Sequence, residues 1–214
     1  MRASFFASSL LSAFAVTVTA CGGDSTGPVQ ADSVSVVATA SLDGWVSSGG
    51  FAEANGGGPI VGDISGSFPG SGYIRQFLSF SLSLPSGSVV DSARVRIYEA
   101  DISGNPFGNF GSVVVDHVVY GDTLDGTDYG VTALASNIGT LATGIEPLGY
   151  RSLAVTSSVG ADVAAHRTRA QFRLRFANAD GNIDGTDDFV SFGDAEVSCC
   201  ATDSVPVLKV WYRH

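Results

Sequence analysis

Lysine is almost missing from this 214-residue chain. Lys209 is the single one, and the 11 basic residues face 21 acidic ones, for a formal net charge of −10. A surface of that sign repels phosphate backbones and offers no polybasic patch, which argues against nucleic acid as a partner and against electrostatic membrane binding. Charge of both signs together reaches only 15% of residues while hydrophobic residues make up 44%, so this is not a charge-driven disordered chain. No long helical or apolar period runs through it, which excludes a coiled coil, a helical bundle and a multi-span membrane protein. Cysteine is confined to Cys21, Cys199 and Cys200, and histidine to three positions. No Gly-x-Ser-x-Gly elbow, His-Glu-x-x-His run or P-loop is present. The length suits one β-rich domain with a sizeable core and is too short for two large ones.

The N-terminus reads as a targeting signal. Arg2 supplies a minimal positive region, Phe5 to Val18 an apolar one, and small residues precede Cys21. The run Val18-Thr19-Ala20-Cys21 resembles the bacterial lipoprotein lipobox, in which the cysteine becomes the lipidated first residue of the mature protein. The alternative is an ordinary signal peptide with a chance cysteine. The lipoprotein reading divides the chain into a signal peptide (1–20), a flexible tether (21–30) and one domain (31–214). It implies an exported protein held at the cell envelope by acyl chains, with Gly22 favouring the outer membrane. From Cys21 onward the chain carries 10 basic and 21 acidic residues.

The rest alternates short β-branched and aromatic runs with Gly, Asp, Asn and Ser clusters. The expected fold is an all-β antiparallel sandwich of the jelly-roll kind with one short helix. Strands are expected at Ser33–Ala40, Gly44–Ser47, Tyr73–Leu82, Val89–Glu99, Gly111–Tyr120, Tyr150–Thr156, Ala170–Ala177, Asp188–Phe192 and Val205–Arg213. A helix is expected within Val155–Arg169. In the third strand the serines are expected on the solvent side, and in the fourth Ala93, Val95 and Ile97 should face away from Arg94, Arg96 and Tyr98. Gly49 to Gly72 reads as a long mobile or ligand-binding loop.

The order of these pieces resembles the DNRLRE-type jelly-roll domain of secreted bacterial proteins, which is related to carbohydrate-binding modules. The resemblance rests on Ala38 to Val46, on Arg75 to Leu82 (with Ser81 where the family usually has Asp), and on Val90 to Tyr98. Ser152 to Thr156, Gln171 to Phe176 and Pro206 to Tyr212 extend it over nearly the whole mature chain. The family's tryptophans before Ser152 and on the helix are absent, with Tyr150 and His166 nearby instead. The resemblance implies a non-catalytic domain that holds a polysaccharide.

Exposed aromatics that stack on sugar rings would carry such binding, and Trp45, Tyr73, Tyr98 and Trp211 are the candidates. In the last strand, alternation puts Lys209 and Trp211 on one face and Leu208, Val210 and Tyr212 on the other. Asn178, Asp180, Asp184 and Asp187 form a calcium-like loop around Gly181, since a hard cation wants six to eight oxygens; a solvated acidic hairpin turn is the competing reading. Asp122, Asp125 and Asp128 are a sparser version of the same pattern. Cys199 and Cys200 are expected to form a vicinal disulfide that clamps their loop. It would be strained, because adjacent Cα atoms sit about 3.8 Å apart and a disulfide normally spans about 4.4–6.8 Å. Free thiols or bridges to another chain are the alternatives. Asp116 and His117 point to opposite faces of a strand, and Asp162 and His166 are spaced to touch on the helix. No pair of carboxylates stands out for glycoside hydrolysis. A structural or adhesive envelope protein and a small polysaccharide-acting enzyme remain the rival readings.

Overall fold

The computed structural model describes residues 30–54, 58–66, 70–178, 184–196 and 204–214. The expected signal peptide, together with Cys21, Asp180, Cys199 and Cys200, lies outside the described residues. The fold is all-β and antiparallel. Its strands are β1 (Ala31–Val37), β2 (Gly44–Ser47), β3 (Ala52–Ala54), β4 (Ile60–Ile64), β5 (Gly72–Ser81), β6 (Val89–Ser103) and β7 (Val113–Val118). They continue with β8 (Ala135–Ala142), β9 (Gly149–Ala154), β10 (Arg169–Phe176), β11 (Asp188–Phe192) and β12 (Val207–Arg213). A one-turn helix α1 (Pro106–Phe110) follows β6, and the expected helix is α2 (Thr156–Ala164).

The strands pair in the order β1-β12-β6-β11-β4-β5-β10-β7-β8, with β9 branching from β6 and β2 from β5. This sheet folds over on itself into a sandwich. Val95, Ile97, Leu208 and Val210 from β6 and β12 pack in one cluster with Leu78, Phe80, Phe172 and Leu174 from β5 and β10. Each such side chain taken out of water contributes about 1.5–3 kcal/mol.

The two layers differ in what covers their outer faces. In β6 and β12 burial alternates residue by residue, so the outer side is open to solvent as the sequence pattern predicts. In β5 and β10 both faces are buried. The segment from Tyr120 to Ala133 lies over the outside of these strands, where Leu42, Val46, Phe77, Val118 and Tyr120 form a second core. This is why Ser79, expected on the solvent side, is buried. Gln171 fastens the segment by accepting from the Tyr120 N–H at 3.0 Å and donating to the Gly121 carbonyl at 2.8 Å.

Beneath the same cover, the buried Asp116 carboxylate on β7 accepts from Arg173 at 2.7 Å and from Arg175 at 2.8 Å, both on β10. Arg173 also donates to the Val131 carbonyl at 2.8 Å, and Arg75 to that of Tyr129 at 2.6 Å. Burial pushes the Asp116 carboxyl up. The hydrogen bonds from Arg175, the Asn137 N–H and Arg173 outweigh it and hold Asp116 below the usual carboxylate range.

The expectation of a long loop over Gly49 to Gly72 is corrected. That stretch holds β3 and β4, with Ile60, Val61 and Asp63 buried. Its glycines and short apolar runs hid a strand that pairs with β11, some 130 residues away in the chain. Gly62 has φ +139, and a Cβ there would stand 2.1 Å from the Asp188 carbonyl, so the β4–β11 pairing requires glycine.

Asp116→Asn leaves Arg173 and Arg175 without their counter-charge. Breaking a buried pair in this way costs about 3–5 kcal/mol, which for a domain of this size lowers Tm by roughly 10 °C. Because the folded pKa is depressed, the wild-type contribution is present above the usual carboxylate range and is lost as pH falls through the depressed value. Thermal melts at pH 7 check this, and an unchanged Tm contradicts it.

Candidate functional site

The open outer face of β1, β12, β6 and β9 brings exposed cations and aromatic rings together. The ladder sets Ser35 opposite Lys209, Lys209 opposite Arg94, Val207 opposite Arg96, Arg96 opposite Ser152 and Tyr98 opposite Tyr150. Alternation sends all of these side chains outward. Ser35, Arg94, Arg96, Ser152, Val207 and Lys209 line, together with Trp211, a shallow depression of about 290 Å³, with Tyr98 and Tyr150 further along the ladder.

Its cations rest on rings. The Lys209 ammonium lies 4.8 Å from the centre of the Trp211 ring and the Arg96 guanidinium 4.3 Å from that of Tyr150. Tyr150 in turn meets Tyr98 edge to face at 5.1 Å. Arg94 donates to Ser152 Oγ at 3.2 Å. Among the described residues none of Arg94, Arg96 and Lys209 is salt-bridged, whereas Arg151, Arg167, Arg169, Arg173, Arg175 and Arg213 all are. Three unneutralised cations stand together on a protein of net charge −10. An exposed cation–π contact is worth about 0.5–1 kcal/mol, enough to fix where each cation sits.

The four aromatics singled out from sequence divide. Trp211 is 36% exposed and belongs to this face, and Tyr98 is half-buried at its end. Trp45 (9% exposed) and Tyr73 (8%) are corrections, because both are core residues. Trp45 packs with Ile60, Ile74 and Phe51, and Tyr73 meets Phe110 edge to face. The strands carrying them are buried on both sides, so parity alone could not turn either ring to solvent. Tyr150, 39% exposed, was missed. Its place beside Tyr98 follows from register, which the alternation of a single strand does not encode.

Of the calcium-like loop, Asn178, Asp184 and Asp187 are described and exposed. Asp187 accepts from the Ser65 N–H at 2.9 Å and hydroxyl at 2.7 Å, and Asp184 from the Thr186 N–H at 2.9 Å. Asp63 on β4, which sequence reasoning missed, stands against the same loop, and its Oδ2 is buried without a partner. Burial first, and then the neighbouring Asp188, Asp184 and Asp187, push its carboxyl up to about 6 against the pull of the Asp188 N–H. Asp188 is satisfied by Asn109 at 2.6 Å and by the Asn105 N–H. Among the described residues no group of three or more His, Cys, Asp or Glu forms a ready metal cage. Asp125 and Asp128 cap a 3₁₀ turn (Gly126–Gly130), which accounts for that acidic pattern.

The expected Asp162–His166 contact is replaced by another. Asp162 on α2 takes His117 of β7 at 2.9 Å and Arg167 at 3.0 Å, which pins the helix to the sheet. A cleft of about 420 Å³ passes His117, Ser157 and Ser158. Among the described residues no serine hydroxyl is hydrogen-bonded to His117, whose Nε2 is taken by Asp162.

These features define a β-sandwich with an open, cation-bearing aromatic sheet face. No family model matches the chain, and no curated protein matches it.

A carboxyl with a raised pKa destabilises the fold once it ionises, so stability falls as pH rises from about 4 through 6. In chelator, the fall in Tm between pH 4 and 7 is expected to be smaller in Asp63→Asn than in wild type. Identical pH profiles contradict the placement of Asp63.

Proposed function

We propose that the protein is an exported, non-catalytic glycan-binding domain, lipid-anchored through Cys21, which holds acidic polysaccharide on the outer face of β1, β12, β6 and β9. The observation that carries this reading is the concentration of unneutralised Arg94, Arg96 and Lys209 beside exposed Trp211 and Tyr150. Sugar rings stack on aromatic faces, while carboxylate or sulfate groups take guanidinium and ammonium donors in fixed directions. Serines along the same ladder add hydroxyls for the sugar's own. A nearly flat face suits a polymer that lies across several strands. The resemblance to carbohydrate-binding jelly rolls points the same way. Calcium bracing the loop of Asn178, Asp180, Asp184 and Asp187 belongs to this reading, supported by the unpartnered Asp63 oxygen beside it.

Binding to dextran sulfate and polygalacturonate is expected to exceed binding to neutral dextran and to weaken with salt. Trp211→Ala should cost about tenfold in affinity, the worth of one ring contact of about 1.4 kcal/mol. Replacing Arg94, Arg96 and Lys209 together by Gln should abolish the preference for charged polymer. Affinity electrophoresis on each polymer measures both. Equal retention by dextran and dextran sulfate contradicts the reading, and binding to anionic vesicles instead of glycans assigns the face to the membrane.

A further inference from the structure

A second group of oxygens lies buried elsewhere, where the chain leaving β11 passes the start of β2. Asp43, just before β2, is fully buried and accepts from the Ala195 N–H at 2.9 Å through Oδ2. Its Oδ1 has no partner. Gln76 on β5 is also fully buried and lies within hydrogen-bonding reach of Asp43. Its amide nitrogen faces the Gly193 carbonyl at 3.4 Å, while its Oε1 is unpartnered. Glu196 is half-buried; both its carboxylate oxygens are out of solvent and are approached by its own backbone N–H alone. The hydroxyl of Ser204, whose backbone packs on Gly193, is buried without a partner. Asp194 adds a third carboxylate to the same neighbourhood.

Leaving such atoms unsatisfied is costly, and more so for charged groups than for the amide and the hydroxyl. Among the described residues no arginine or lysine is salt-bridged to Asp43 or Glu196, the basic partners being committed elsewhere, as Arg173 and Arg175 are to Asp116 and Arg151 is to Glu99. Amide and hydroxyl oxygens interspersed with carboxylates form a donor set for a hard cation and leave nothing for a soft one.

We propose that Asp43 Oδ1, Gln76 Oε1, Ser204 Oγ and the Glu196 carboxylate hold a calcium ion in the interior, tying the chain after β11 to the base of β2. The site needs no cage of three acids, since neutral oxygens supply part of the shell. Water can complete the six to eight ligands that calcium takes. Magnesium fits less well, because it demands regular octahedral geometry and keeps most of its own water. Burial, followed by Glu196, holds the Asp43 carboxyl well above its usual range when no cation is present. The inference stands apart from the glycan reading and from the exposed loop at Asp184–Asp187, and either can fail without it.

The test is calcium titration by calorimetry on the full chain carrying Asp184→Asn and Asp187→Asn, which disables the exposed loop. One calcium per chain is expected, with magnesium at least tenfold weaker. Adding Glu196→Gln, which keeps the shape and removes one buried charge, should weaken calcium at least tenfold. It should also remove most of the calcium-induced rise in Tm. Absence of binding in the loop-disabled chain overturns the proposal. So does calcium affinity unmoved by Glu196→Gln together with Asp43→Asn.

Discussion

The carboxylate of Asp116 is the interaction on which the division of the surface depends. It neutralises Arg173 and Arg175 under a cover of chain, and Arg173 in turn holds the Tyr129 and Val131 carbonyls of that cover. One layer of the sandwich is thereby sealed on both faces. The other layer keeps an outward face over which none of the described residues folds along β6 and β12. Two arginines that would have been surface cations are spent inside, so the unneutralised charge on the open face stands out against an acidic protein.

Charge is placed unevenly in the opposite sense as well. Carboxylates are buried at Asp63 and Asp43, and burial together with neighbouring acids raises both. Such groups lower stability near neutral pH unless protons or cations neutralise them. The scarcity of lysine fits this arrangement, because a flexible ammonium near either cluster would compete with a divalent ion. Buried carboxylates and an open sheet face bearing unneutralised cations are thus two sides of one uneven charge distribution.

Much of the fold was legible in the sequence. The alternation of Ala93, Val95 and Ile97 with Arg94 and Arg96 gave β6 and its outer face, and that of Leu208 to Tyr212 gave β12. Asp188–Phe192 and Gly44–Ser47 were read with their observed bounds. What stayed hidden has physical reasons. β8 is built of small residues, pairs with β7 through register shifts and carries Asn137 at positive φ, so it shows no clean period of two. β4 was concealed among glycines that its close pairing requires.

The site was half legible. Parity joined Lys209 with Trp211, but only register brings Arg96 and Tyr150 to them, and only burial removes Trp45 and Tyr73. The chain has two tryptophans, one in the core and one on the proposed binding face. An NMR titration of the two indole N–H resonances with a uronate or sulfated oligosaccharide therefore tests the central claim directly. The account predicts a saturable shift of the Trp211 resonance with Trp45 unmoved. A glycan that binds while leaving Trp211 unmoved would contradict it.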